Sequence, residues 1–198
     1  MVAHPGERRW SVEEYVWLER TSEVKHEYVE GTVYVLAGGT RGHARIASNA
    51  VRLLEEALAD SPCRVFNSDM KIRFSPVVYR YPDVAVSCHP EDTSIEGEDL
   101  DYISFPTLVM EVLSDSTART DRTSTFEEYR TIPTLREYVL AEAGRKVVHV
   151  HRYHPANAWP TVTYLAGQDT ILESLAVRVP VDALYRKVQL PRHAPDAE

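Results

Sequence analysis

Leu108-Val109-Met110-Glu111-Val112-Leu113 is an apolar run of strand length that one acidic residue, Glu111, interrupts. An earlier run, Tyr81-Pro82-Asp83-Val84-Ala85-Val86, carries Asp83 in the same way. Side chains alternate between the two faces of a strand, so each acid shares a face with apolar neighbours. Burial of a carboxylate costs free energy unless a positive charge or hydrogen bonds compensate for it. The two runs therefore predict strands of a buried sheet whose acids need a partner.

Two kinds of partner could neutralise this acid pair. Two carboxylates together with water suit a hard divalent cation such as Mg²⁺. Alternatively, each acid pairs with a basic side chain, for example Arg73 or Arg122. At this point the sequence leaves both the metal site and the buried ion pairs open.

The rest of the chain predicts a single α/β (α+β) domain over residues 1–190. Arg41–Ala59 is the clearest helix, because its apolar residues recur at spacings of three and four. A capping box at Ser11–Glu14 opens a short helix that ends near residue 20. A β-hairpin is expected to follow around Gly31.

We expect four strands to share one mixed β-sheet, with the 41–59 helix packed on one face and further helices flanking it. These strands are Asp69–Phe74, Tyr81–Cys88, Thr107–Leu113 and Leu135–Ala141. An acidic, solvated loop is predicted over 89–104, a helix over Asp121–Arg130, and a disordered tail over 191–198.

The composition is that of a globular protein, with 43% hydrophobic and 26% charged residues among 198. No apolar run approaches the length of a transmembrane helix, and Met1–Arg9 is too polar for a secretory signal. Cys63 and Cys88 lack the spacing of a metal site, so we expect ordinary buried thiols and a reducing, cytoplasmic location. Phosphate-binding loops, serine-hydrolase elbows and zinc-protease motifs are absent from the sequence.

The net charge of −8 disfavours a strong, sequence-independent hold on DNA. The charge is uneven, because residues 91–101 contain six acidic and no basic residues. Basic residues gather at Arg64, Lys71, Arg73 and Arg80. A nucleic-acid face is therefore possible, although the composition does not require one.

An ordered series of segments resembles the Uma family of restriction-endonuclease-like proteins, a bacterial branch of the PD-(D/E)XK nuclease superfamily. The matching segments are His26–Gly31, Gly42-His43, Ser68–Lys71, Tyr81–Val84, Val109–Ser114, Asp121-Arg122, Phe126–Arg130 and Ile132–Tyr138. The resemblance implies a metal-dependent endonuclease that hydrolyses phosphodiester bonds in DNA. By that pattern Asp83, Glu111 and the carbonyl of Val112 would ligate Mg²⁺ or Mn²⁺, which would activate the attacking water.

The lysine that normally assists this chemistry is missing from both places where the resemblance expects it. The first place holds Leu113, and the second, on the following helix, holds Thr125. Lys71 is the substitute we expect to be catalytic, and Arg122 is a second candidate. The remaining possibility is that catalysis is weak or lost, which leaves a nuclease-fold domain that binds nucleic acid or protein.

Further candidates have structural explanations beside the functional ones. Glu30, with Glu27 nearby, could supply an additional acid to the metal, or it could be a solvated turn residue. His43 could lie near the site or serve helix packing. His149 and His151 share a strand face without a further ligand, which predicts an exposed strand rather than a metal site.

Two broader expectations concern assembly and alternative function. Cutting both DNA strands with one site per chain favours a two-fold dimer, and Tyr153, Trp159 and Tyr164 could supply an apolar interface. Apart from the resemblance, a small-molecule metallohydrolase or a structural interaction domain remains possible.

Overall fold

The computed structural model describes residues 8–97, 99–113, 121–156 and 158–190. The tail predicted over 191–198 lies outside these residues. The helices are α1 (Val12–Thr21), α2 (Arg41–Ala57), α3 (Pro90–Thr93), α4 (Asp121–Tyr129) and α5 (Val181–Leu184). The strands are β1 (His26–Val29), β2 (Thr32–Val35), β3 (Arg64–Asn67), β4 (Lys71–Ser75), β5 (Val78–Arg80), β6 (Val84–Ser87), β7 (Tyr102–Ile103), β8 (Leu108–Leu113), β9 (Glu137–Glu142), β10 (Val147–Arg152), β11 (Thr161–Leu165), β12 (Asp169–Leu172) and β13 (Val177–Pro180).

A mixed six-stranded sheet forms the centre of the molecule, in the order β11-β10-β9-β8-β6-β3. Strands β8 and β9 are parallel, and their neighbours pair antiparallel. Helix α2 packs on one face through Ile46, Ala50 and Leu54, as its periodicity predicts. The opposite face buries Val109 and Leu113 beside Tyr129 of α4, so the face that Glu111 shares is the α4 face.

A second sheet runs in the order β2-β1-β5-β4-β7. Helix α1 covers it with Tyr15, which stacks on Tyr28 at a ring-centroid distance of 5.0 Å. The capping box predicted at Ser11 and the hairpin around Gly31 are both present. The hairpin turn needs glycine, because Gly31 has φ 91°.

The prediction that Asp69–Phe74 joins the central sheet is wrong. Its strand, β4, pairs antiparallel with β5, and β5 pairs with β1, so β4 belongs to the second sheet. The tight connection between β4 and β5 makes this pairing local, whereas β6 has β3 and β8 as its neighbours. The predicted loop over 89–104 likewise contains α3 and β7.

The prediction of two ordinary thiols is also wrong, since Cys63 and Cys88 form a disulfide. The cause is the antiparallel pairing of β3 and β6, in which Arg64 lies opposite Ser87. The next pair outward in that register is Cys63 and Cys88. Strand pairing therefore brings together two cysteines that are 25 residues apart. The expectation of a reducing compartment, which depended on free thiols, loses its basis. Among the described residues, every helix is too short or too polar to cross a membrane.

Candidate metal centre

Asp83 and Glu111 meet between two neighbouring strands, where Asp83 immediately precedes β6 and Glu111 lies within β8. Met110 of β8 lies opposite Val84 of β6 in the antiparallel register. Glu111 follows Met110 and Asp83 precedes Val84, so the two acids lie side by side. The backbone N–H of Asp83 is 3.4 Å from Glu111 Oε2. The register thus brings together two acids that are 28 residues apart in the sequence.

The Asp83 carboxylate is bonded at both of its oxygens. Oδ2 accepts a hydrogen bond of 2.7 Å from the backbone N–H of Val112, and Oδ1 lies 2.7 Å from His43 Nε2. Both side chains are mostly buried, with 16% of Asp83 and 21% of His43 exposed. The hydrogen bond to Asp83 raises the pKa of His43, and burial of the imidazole opposes that rise.

The Val112 carbonyl faces the same side of β8 as Asp83. The carbonyl of the next residue, Leu113, accepts from the N–H of Ala143 on the β9 side. Successive residues of a strand direct their backbone groups to opposite sides. The Val112 carbonyl therefore points toward β6, alongside the Val112 N–H that binds Asp83.

Glu111 accepts a second hydrogen bond, besides the one from the Asp83 N–H, in a site unfavourable to its charge. The Tyr129 hydroxyl donates to Glu111 Oε1 at 3.1 Å. Burial of the carboxyl raises the pKa of Glu111 well above its usual range, and the negative charges of Asp83 and Glu27 raise it further. A bound cation would reverse this destabilisation of the carboxylate.

The structure brings Glu27, not Glu30, toward this acid pair. Glu30 is exposed in the hairpin turn, with φ 46°, and none of its described contacts joins it to Asp83 or Glu111. Glu27 is buried and accepts from the Tyr81 N–H at 3.1 Å. Its position follows from β1, which lies between β2 and β5 in the second sheet. The sequence signal was present, because Glu27 sits between His26 and Tyr28 in a strand-like run.

Arg80 links Glu27 to helix α4. Its Nη1 donates to Glu27 Oε2 at 2.6 Å, while Nε and Nη2 bind both oxygens of Glu128. Only 6% of Arg80 is exposed. Because Glu128 precedes Tyr129, this arginine fixes the helix that supplies the hydroxyl to Glu111. No sequence motif identifies Arg80 or Tyr129 as part of the site.

Of the two substitutes for the missing lysine, Lys71 and Arg122, only Lys71 is among the described side chains. Lys71 is buried, and its Nζ binds Asp101 Oδ2 at 2.8 Å beneath the rings of Tyr15 and Tyr81. Within the described residues, no contact joins Lys71 to Asp83 or Glu111. The side chain of Arg122 lies outside the described part of the chain.

Thr125 lies one helical turn before Tyr129 on α4, so the two side chains share a face of the helix. Tyr129 reaches Glu111 from that face. A lysine in place of Thr125 would consequently start from the side of the helix that faces the acid pair.

The alternative basic partner Arg73 does not neutralise the acids. Its guanidinium lies over the Tyr102 ring at 4.6 Å and donates to the Tyr102 hydroxyl.

Across the residues that the structure describes, no three His, Cys, Asp or Glu side chains converge as metal ligands. A cation here would depend on two carboxylates, the Val112 carbonyl and water. That oxygen donor set fits Mg²⁺, which usually keeps several water ligands.

The strand carrying His149 and His151 is not exposed as predicted, because both residues are half-buried. His149 Nε2 lies 2.8 Å from Glu142 Oε1. His151 packs beside the Phe126 ring at 4.7 Å, and burial lowers its pKa. The structure gives both imidazoles structural partners.

A family model described as "Putative restriction endonuclease" matches residues 12–182. The chain belongs to the Uma2 family. Two uncharacterized proteins of Synechocystis sp. are similar along most of their length. One is 32% identical over 190 residues, covering 94% of this chain and 98% of the relative. The other is 35% identical over 161 residues, covering 81% and 89%.

A crystal structure from Anabaena variabilis, described as "a putative nuclease belonging to DUF820", has the same fold. Its TM-score is 0.72 at 18% identity, and the match covers 88% of this chain and 96% of that one. The Uma2 chain therefore shares the fold of that structure, a mixed α+β arrangement with helices flanking the central sheet.

Proposed function

We propose that the chain is a metal-dependent endonuclease that hydrolyses phosphodiester bonds in DNA. Asp83, Glu111 and the Val112 carbonyl would hold Mg²⁺ or Mn²⁺. The observation that carries this proposal is the convergence of two carboxylates from adjoining strands, one of them in a site that raises its pKa. Such perturbed acids are characteristic of functional sites.

In this mechanism the bound ion supplies a polarised phosphate and an activated water. The contribution of the chain is to orient the ligands before substrate arrives. The Val112 N–H and His43 fix the Asp83 carboxylate, and the Tyr129 hydroxyl directs Glu111. Arg80 offsets part of the local negative charge through Glu27 and Glu128.

The decisive experiment is cleavage of plasmid and single-stranded DNA at increasing Mg²⁺ or Mn²⁺ concentration. Asp83→Ala and Glu111→Ala should abolish metal-dependent cleavage, whereas Glu30→Gln should not, because Glu30 is an exposed turn acid. Equal rates for the wild type and Glu111→Ala would end the catalytic assignment.

Lys71 remains the proposed substitute for the missing lysine. Its Nζ would have to leave Asp101 to reach a substrate phosphate. Lys71→Ala should therefore lower the cleavage rate and leave metal affinity nearly unchanged, with melting curves checking that the variant folds. An unaffected rate would remove Lys71 from the mechanism and leave Arg122 to be tested.

A second function is favoured by Leu113 and Thr125, which occupy the places where the family resemblance expects lysine. In this alternative the chain binds nucleic acid or protein and cleaves weakly or not at all. Thr125→Lys distinguishes the two, because it adds a cation on the helix face that carries Tyr129. If Thr125→Lys cleaves DNA and the wild type does not, the binding function is supported. If the wild type cleaves as fast as Thr125→Lys, the endonuclease is supported.

A homodimer is part of the proposal, but two of the three predicted interface residues face inward. Tyr164 is buried, and Trp159 packs edge-on against Phe126, whereas Tyr153 is 42% exposed. Strand β11 offers a better contact, since it is an uncharged edge strand of the central sheet. Light scattering at micromolar concentration should show a dimer that Val162→Lys dissociates, and a wild-type monomer would refute it.

A further inference from the structure

The Asp83 carboxylate is oriented by two donors from different parts of the fold. One is the backbone of β8, through the Val112 N–H, and the other is the side chain of His43 on α2. Each carboxylate oxygen has two acceptor positions, so one position on each oxygen remains beside the donor. Together the two bonds fix the plane in which those remaining positions lie.

His43 is itself held in place by the segment that begins α2. Thr40 caps the helix, and its Oγ1 accepts from the His43 N–H at 3.2 Å. The imidazole lies directly against Gly39, where a Cβ atom would be 3.0 Å from His43 Cγ and Cδ2. A Cβ atom at this position would force the imidazole to shift by a few tenths of an ångström, so the loop backbone forms one wall of the imidazole site.

We propose that His43 is a positioning residue of the metal centre: it holds the Asp83 carboxylate in the orientation that binds the ion. Because a carboxylate can only accept, Nε2 must carry the hydrogen of the 2.7 Å bond. The second donor, the Val112 N–H, is part of the backbone and cannot be removed by substitution. Of the two donors to Asp83, His43 is therefore the one that a substitution can remove.

This inference rests on the proposed metal site and makes a separate prediction about it. Partners that hydrogen-bond to metal ligands typically contribute tenfold to a hundredfold in metal affinity. Loss of the His43 donor should therefore weaken metal binding even though His43 does not touch the ion. A residue that served packing alone would affect stability and leave metal affinity unchanged.

Two variants separate the donor from the ring. His43→Phe keeps a ring against Gly39 but removes the donor, and His43→Gln keeps an N–H donor on a flexible side chain. The matched control is His149→Phe, because His149 pairs with Glu142 at 2.8 Å and its side chain has the same 21% exposure. That pair lies on β9 and β10, outside the acid pair.

The readout is the dissociation constant of Mn²⁺ for the intact chain, measured by titration calorimetry without DNA. We expect His43→Phe to raise the constant by about tenfold or more, and His43→Gln to stay within about threefold of the wild type. His149→Phe should match the wild type. Metal-free melting curves check folding, and His43→Leu replaces His43→Phe if the latter does not unfold cooperatively.

The outcomes distinguish this inference from the proposed function. Wild-type affinity in His43→Phe would overturn the positioning role while the metal site stands. Equal weakening in His43→Phe and His43→Gln would also overturn it, because the donor would then be irrelevant. No Mn²⁺ binding by the wild type would overturn the metal site itself, and the role of His43 with it.

Discussion

Replacing Arg80 by methionine should destabilise the protein more than any exposed charge substitution. Arg80 is buried between Glu27, which is 7% exposed, and Glu128, whose side chain is 36% exposed. Methionine fills similar space but leaves both acids without their shared cation. The cost is the penalty of an uncompensated buried charge at Glu27.

The expected magnitude follows from this difference in exposure. Removal of one partner from a buried ion pair costs about 3–5 kcal/mol. Water screens the partly exposed Glu128, so the loss should lie near the lower end, at ~3–4 kcal/mol. For a chain of this length that corresponds to a fall in Tm of roughly 6–16 °C.

Urea unfolding of three variants tests the reasoning. Arg80→Met/Glu27→Gln removes both buried charges and should recover about half of the loss or more, since a neutral pair avoids the desolvation cost. Arg52→Met breaks an exposed pair with Glu56 and should cost about 1 kcal/mol at most. A loss below about 1 kcal/mol in Arg80→Met, or a double variant no more stable than the single one, would refute the argument.

Three further outcomes follow from the structure. The raised pKa of Glu111 means that the folded chain keeps a proton that the unfolded chain has lost, so metal-free stability should fall as pH rises above the ordinary carboxyl range. Glu111→Gln should flatten that slope in pH-dependent urea unfolding. Reduction of Cys63–Cys88 should cost roughly 3 kcal/mol in the same assay, since the bond closes a separation of 25 residues. Ile46→Ala should cost about 3 kcal/mol because Ile46, on α2, is fully buried against the central sheet.

Local patterns predicted the elements whose burial repeats along the sequence. The apolar positions of α2 recur at helical spacing, and β6 and β8 are mainly apolar runs with buried residues on both faces. The acid pair could be predicted for the same reason, because an acid in such a run needs an explanation. The pattern did not reveal that the acids face different partners, His43 and Tyr129.

What the sequence left open depends on pairing between distant segments. Strand β5 has only three residues, and nothing local indicates that it joins β4 to β1 in a second sheet. The disulfide follows from the register of β3 and β6, which no spacing rule supplies. Glu27 enters the site through the same long-range pairing, since β1 pairs with β5 and Glu27 bonds to Arg80 and to the Tyr81 N–H at the end of that strand.

The two sheets therefore have different parts in the candidate site. The central sheet supplies both carboxylates and the Val112 carbonyl from the adjoining strands β6 and β8, which requires only a correct register. The second sheet supplies Glu27 and Arg80, and α4 supplies Glu128 and Tyr129. Among the described side chains, Arg80 bonds both to Glu27 of the second sheet and to Glu128 of α4. It therefore couples the position of Tyr129, the neighbour of Glu128, to the second sheet. Metal affinity should accordingly depend on a residue that contacts neither Asp83 nor Glu111 in the described structure.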